Sequence, residues 1–265
     1  MGTPGTGARV LIHRLSHSEC VDGLTREADR FAALLVAADP DAPVPTCPEW
    51  SVTDLTVHLG IIHRWVTEMV RVRTPERIPR VEAEYPHPEG ADDLVPWFRA
   101  GGRELVAALR ACDADTPMWA WGPTRHVHFW SRRQLHDTAM HRIDLALACA
   151  AAAVLDGAMA SDSILELLDF IPNFGAVLPH LAELRGDGET IGLRATDGDG
   201  FGRITLTPNG FHVDDDLGAT DASISGSMSD LALTMSRRLP VTDPRIGLGG
   251  RSDLVDHWIA HSALD

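Results

Sequence analysis

Two segments of this chain carry side chains whose types and spacing suit a metal ion. The first runs Ser51-Val-Thr-Asp-Leu-Thr-Val-His58-Leu-Gly60-Ile-Ile-His63-Arg-Trp65. The second runs Trp130-Ser-Arg-Arg-Gln-Leu-His136-Asp137-Thr-Ala-Met-His141-Arg142-Ile-Asp144. Asp137 and His141 are four positions apart, so on a helix both side chains leave the same face. His58, on a second helix, would complete a set of three ligands with a fourth position open. That is the layout of a catalytic metal rather than a structural one. Plainer readings exist for each residue alone. An acidic residue four before a histidine is also an ordinary i,i+4 surface pair, and His58 beside Leu55, Leu59 and Ile62 also suits a boundary histidine. Taken together on two helices of one bundle they weigh more, because polar groups projecting into a bundle interior are costly unless something binds them. His63 competes with His58 for the same stripe. His136 competes weakly, since it points about 100° away from Asp137 on a helix.

The elements that must position these groups follow from periodicity. Val21, Leu24, Ala28, Phe31 and Leu35 fall at helical spacing and predict a helix over 18–38. Residues 39–48 are proline-rich and read as a loop. A second helix is expected from Ser51, with Asp54 three positions on as a variant capping box and a stripe of Leu55, Leu59, Ile62, Val66 and Met69. Four prolines between 74 and 90 predict a long loop. A third helix is expected over 92–111, then a loop over 113–130 rich in Trp and His, then a fourth helix over 131–152. Four helices with two long loops predict a bundle. The aromatic loop has two readings: a wall over a metal pocket, or a loop anchored in the core by Trp119 and Trp130.

Beyond about residue 155 the pattern changes. A short helix is expected over 162–170, stopped at Pro172. Strands are expected over 191–195, 203–207, 211–213 and 222–225, separated by turns rich in Gly and Asp. Two closing helices are expected over 229–238 and 252–261. The fold class is α+β with two domains: a disordered leader over 1–17, a helical bundle over 18–158, and a small sheet domain over 159–265.

Composition narrows the function. Of 265 residues, 44% are hydrophobic and 23% charged, and no apolar run is long enough for a membrane span. No secretory signal is evident, and the Gly- and Thr-rich start that superficially fits a myristoylation pattern reads as the leader. The net charge of −15 argues against nucleic acid and anionic membrane as partners. Cys20, Cys47, Cys112 and Cys149 are scattered with no CxxC, which suits a reducing cytoplasm. Cys47 reads by default as a small buried residue rather than a reactive thiol. Asp197-Gly-Asp-Gly-Phe-Gly202 lacks the later glutamate of a calcium loop and reads as a hairpin turn. Neither a phosphate-binding glycine loop nor a nucleophile elbow is present.

The motif from Cys47 through His58-Leu-Gly60 resembles the second helix of the mycothiol-dependent maleylpyruvate isomerase family, a group of DinB-like metal-binding four-helix bundles. The run from Trp130 to Asp144 resembles its fourth helix. Ile224-Ser-Gly226, Asp230-Leu-Ala-Leu233 and Arg238-Leu-Pro240 resemble its small sterol-carrier-like C-terminal domain. The resemblance implies a divalent metal, usually zinc, held by His58, Asp137 and His141. At position 137 this chain has Asp where the family has Glu, a side chain shorter by about 1.5 Å. It implies a substrate-binding arginine at Arg238, with Arg237 beside it, and mycothiol as the thiol co-substrate. The implied activity is isomerisation, in which a metal-activated thiolate adds to a conjugated double bond and leaves again after rotation. Two other readings stay open: a thiol S-transferase on the same scaffold, and a non-catalytic binding or regulatory protein whose metal site has decayed through Asp137.

Overall fold

The computed structural model describes residues 14–81, 84–175, 177–198, 200–216 and 218–264. The expected leader falls largely on 1–13, outside the described residues. The chain divides into two compact units, Leu15–Val154 and a second that is essentially Leu155–Asp265.

The first unit is helical. It comprises α1 (His17–Leu35), α2 (Val52–Val72), α3 (Leu94–Arg110) and α4 (Val127–Ala148), with a small hairpin of β1 (Pro43–Val44) and β2 (Cys47–Ser51) ahead of α2. Both α1 and α2 start with a full capping box. Ser16 and Glu19 serve α1, and Ser51 and Asp54 serve α2. In each, the hydroxyl accepts from the N3 amide while the N3 carboxylate accepts from the cap amide, so two otherwise orphaned donors are satisfied. The stripes of α1, α2 and α3 meet in a core containing Phe31, Leu35, Leu55, Leu59, Phe98 and Leu145. Phe31 and Phe98 lie with ring centres 4.5 Å apart.

Helix α4 differs from the other three. Fifteen of its residues are buried, among them Gln134, His136, Thr138, His141, Arg142 and Asp144. It is a polar-sided helix carried inside the bundle, and its polar groups are met by specific partners. Arg142 donates to Glu27 of α1 at 2.8 Å and to the carbonyl of Val154 at 2.8 Å. Glu27 also accepts from Arg30 at 2.7 Å, so a carboxylate only 1% exposed has two guanidinium partners.

The expected loop over 39–48 contains the β1–β2 hairpin instead. Its prolines lie at a two-strand edge where ladder donors are not needed. Helix α4 runs four positions earlier than its expected span, because Val127 is buried and Ala150 takes a left-handed conformation (φ 50°) just past Cys149.

The second unit contains α5 (Gly157–Phe174), a five-stranded sheet and two further helices. The strands are β3 (Thr190–Ala195), β4 (Arg203–Thr207), β5 (Gly210–Asp214), β6 (Ala222–Gly226) and β7 (Gly247–Gly250), in the order β5-β4-β3-β6-β7. Only β3 and β6 pair in parallel, with Leu193 opposite Ile224; the other pairs are antiparallel. Helices α6 (Met228–Met235) and α7 (Ser252–His261) pack against β6. Trp258 is fully buried and meets Phe211 edge-on at 5.2 Å.

Two expectations need correction here. Helix α5 begins earlier and runs through Pro172, which lies in its last turn; a proline there removes a single helical bond, and the buried Ile164, Leu165, Leu168 and Ile171 hold the face in place. Strand β7 was not anticipated, because Gly247-Leu-Gly-Gly250 shows no strand pattern. Its glycines lie opposite the serines of β6: a side-chain carbon at Gly247 would sit 2.6 Å from the Ser225 hydroxyl, and one at Gly249 2.8 Å from that of Ser223. Strands β3 and β4 are antiparallel neighbours; the expected hairpin turn over Asp197–Gly202 includes Asp199, which lies outside the described residues.

Among the described residues no helix is long and apolar enough to cross a membrane.

Candidate metal centre

The site is built by three elements of the helical unit. His58 lies in the second turn of α2, and Asp137 and His141 lie on α4. The His58 and His141 rings face each other edge to face, with centres 5.3 Å apart. The third element is the β1–β2 hairpin. Trp50 from β2 lays its indole 4.6 Å from the His58 ring and 6.4 Å from that of His141. Thr46, in the hairpin turn, donates to Asp144 at 2.6 Å.

Asp144 is fully buried and has His141 Nδ1 against its other oxygen at 3.0 Å. A carboxylate accepts, so Nδ1 carries the proton, and Nε2 is the ring nitrogen left for a metal. This carboxylate–histidine pairing is the usual support of a metal-ligating imidazole. His58 is held neutral. Burial, helped by nearby His141, pushes its pKa down to about 4 despite the opposing charge of Asp137. For Asp137, burial alone would raise the pKa. Arg133, His141 and His58 outweigh it and bring it down to about 2, so the carboxylate is ionised. Two imidazoles and an ionised carboxylate are a donor set that a divalent zinc takes.

The spacing suits the same ion. Two imidazoles on one tetrahedral zinc, each with a Zn–N bond of about 2.1 Å, hold their ring centres about 5 Å apart. Asp137 is placed differently. Arg133, one turn earlier on α4, donates to its Oδ1 at 2.9 Å, and the two side chains are 18% and 20% exposed. Among the described residues no group of three His, Cys, Asp or Glu side chains is drawn together closely enough to hold a metal ion as it stands. The structure therefore brings His58 and His141 together and leaves Asp137 beside them, turned to a guanidinium.

His63, the competitor of His58, is fully buried deeper in the bundle. Its Nε2 meets Thr138 at 2.9 Å and its ring packs 5.3 Å from Phe98. Its Nδ1 has no protein partner, and burial pushes its pKa down to about 3. His136 is buried too. The aromatic loop is anchored in a cluster: Trp130 is 1% exposed, donates to the Trp119 carbonyl at 2.6 Å, and packs with Trp65, Trp119 and Trp121 at 5.3–5.7 Å. Arg238 belongs to the second unit and lies three residues past the end of α6. It is half-buried, donates to the Ser236 carbonyl at 2.8 Å, and follows Arg237, whose φ is 62°.

Sequence reasoning did not assign roles to Trp50, Thr46, Arg133 or Asp144. Trp50 and Thr46 reach the site only through a hairpin hidden in a proline-rich run. Asp144 carried a usable signal, since an aspartate three positions after a helical ligand histidine lies on its face.

Over residues 21–146 the chain matches the family described as Mycothiol maleylpyruvate isomerase N-terminal domain. Two solved structures resemble it along most of its length. They are crystal structures of the mycothiol-dependent maleylpyruvate isomerase and of a histidine-to-alanine mutant of that enzyme. Each has a TM-score of 0.64 and 14% sequence identity, covering 91% of this chain and 95% of the other. At that identity the likeness establishes the two-domain α+β fold. No curated protein matches the sequence.

Proposed function

We propose, from the likeness of its helical unit to the mycothiol maleylpyruvate isomerase N-terminal domain, that this chain binds one divalent metal, zinc, through His58, His141 and Asp137, and serves a mycothiol-dependent cis–trans isomerisation of the maleylpyruvate type. The observation that carries this reading is the facing pair of imidazoles, with the Nδ1 of His141 held by buried Asp144.

Bound zinc supplies one thing: it lowers the pKa of a thiol placed on it, so that the thiol reacts as thiolate. The rest is the work of the chain. His58 and His141 present lone pairs. Asp137 brings the one negative charge among the three. Trp50 walls one side of both imidazoles and limits water there. Asp144 and Thr46 hold His141 in place, so that its Nε2 need not reorganise on binding. Arg238 is the candidate clamp for a substrate carboxylate, which a guanidinium grips bidentately.

Thiol stoichiometry tests the reaction class. Zinc-reconstituted protein is incubated with maleylpyruvate and mycothiol, and both product and thiol are followed by chromatography. The reading predicts the trans isomer with the thiol recovered in full. One thiol consumed per product would replace it with S-transfer. No turnover by zinc-loaded protein would leave a binding or regulatory role.

A further inference from the structure

Asp137 is the shortest of the three candidate ligands and the only one with a cation already on it. Its partner Arg133 lies one turn earlier on the same helix. The Arg133 Nη2 to Asp137 Oδ1 separation is 2.9 Å, and both side chains are about four-fifths shielded. Helical side chains lean towards the helix N-terminus, so Asp137 leans towards Arg133 by default. A glutamate has one more methylene with which to span both directions. An aspartate has two torsions and must choose between lying back on the guanidinium and reaching across to His58 and His141. This choice accounts for two facing imidazoles whose carboxylate does not close the set.

We propose that Arg133 is a resident counter-cation of Asp137 that a divalent metal must displace, so that metal capture by this chain is held back by its own guanidinium. The inference rests on the metal reading above and adds a regulation to it. In the metal-free state Arg133 keeps the carboxylate paired, which spares the bundle an uncompensated buried charge. On binding, the metal takes over that charge and the guanidinium is released from the carboxylate. A like charge left close to a divalent ion lowers affinity. Removing the guanidinium therefore tightens binding, whereas a residue that merely oriented Asp137 would weaken binding when removed.

The test is the zinc dissociation constant of the full-length chain, stripped of metal by a chelator and read by competition with a fluorescent zinc indicator. Wild type, Arg133→Gln, Arg133→Lys and His141→Ala are compared, with circular dichroism confirming helicity. The expected result is binding about tenfold tighter in Arg133→Gln, wild-type-like binding in Arg133→Lys, and none in His141→Ala. Unchanged or weaker binding in Arg133→Gln, while wild type binds and His141→Ala does not, overturns the counter-cation and leaves the metal site standing. If neither wild type nor Arg133→Gln binds zinc, the metal reading falls and the inference falls with it.

Discussion

At the scale of single residues, the site depends on protons held in particular places. Asp144 fixes the Nδ1 proton of His141, and Thr46 fixes Asp144. An Asp144→Asn variant can turn its amide nitrogen towards Nδ1 and permit the other tautomer, so zinc affinity is expected to fall about 10- to 100-fold. The same indicator competition measures this, and an unchanged affinity would remove Asp144 from the account. His58 and His63 make an acid-sensitive pair. Both have folded pKa values below the ordinary histidine value of 6.5, at about 4 and about 3, chiefly through burial. Below pH 6.5 the unfolded chain takes up protons that the folded chain refuses. Stability is therefore full above that value and falls as pH drops towards 4 and then 3, by up to about 1.4 kcal/mol per pH unit for each histidine. Replacing His63 by Leu, which also removes an unpartnered nitrogen, is expected to flatten urea midpoints between pH 6.5 and 4; a fall as steep as in wild type would contradict it. That His58 and His141 face each other was legible, because residue type and helical spacing are sequence properties; that Asp137 turns to Arg133 was not. The choice between His58 and His63 was not, since both flank one stripe and only packing puts His63 against Phe98.

At the scale of elements, α2 matters most, because its start and its crossing with α3 fix where His58 points. Its capping box could be read directly from Ser51 and Asp54, and the structure has both halves of it. Ser51→Ala is expected to cost about 1 kcal/mol in urea unfolding. Gly60, two positions after His58, faces Trp97 of α3. A side-chain carbon there would sit 2.1 Å from the Trp97 ring. That ring also stacks under Arg64 at 3.9 Å and donates to the Pro86 carbonyl at 3.1 Å. Gly60→Ala gains about 1 kcal/mol of helix propensity against an overpacking cost of about 1–3 kcal/mol. With the Arg64 stack also disturbed, a net loss is expected, and a variant more stable than wild type would show that Trp97 yields freely. The hairpin that carries Trp50 was illegible because prolines mask its strands. Strand β7 was illegible because its glycines lie opposite serines on another strand, a tertiary relation with no local pattern.

At the scale of the whole molecule, fold class and the change of architecture near residue 155 were visible in periodicity: helical stripes before it, short strands with Gly–Asp turns after it. Pairing order was not, since the parallel β3–β6 contact joins segments that no short-range signal links. The two units also report separately. Six of the seven tryptophans lie in Leu15–Val154 and only Trp258 in the other unit, so indole fluorescence follows mainly the helical unit. A ligand at one hundred times its dissociation constant adds about 2.7 kcal/mol to the unit that binds it. Zinc is thus expected to raise the fluorescence-detected unfolding midpoint and a chelator to reverse the rise. The most direct test of the central claim is the zinc content of chelator-stripped, zinc-reloaded protein by elemental analysis, wild type beside Asp137→Ala. The account predicts about one zinc per chain in wild type and its loss in the variant. No zinc in wild type after reloading would contradict it.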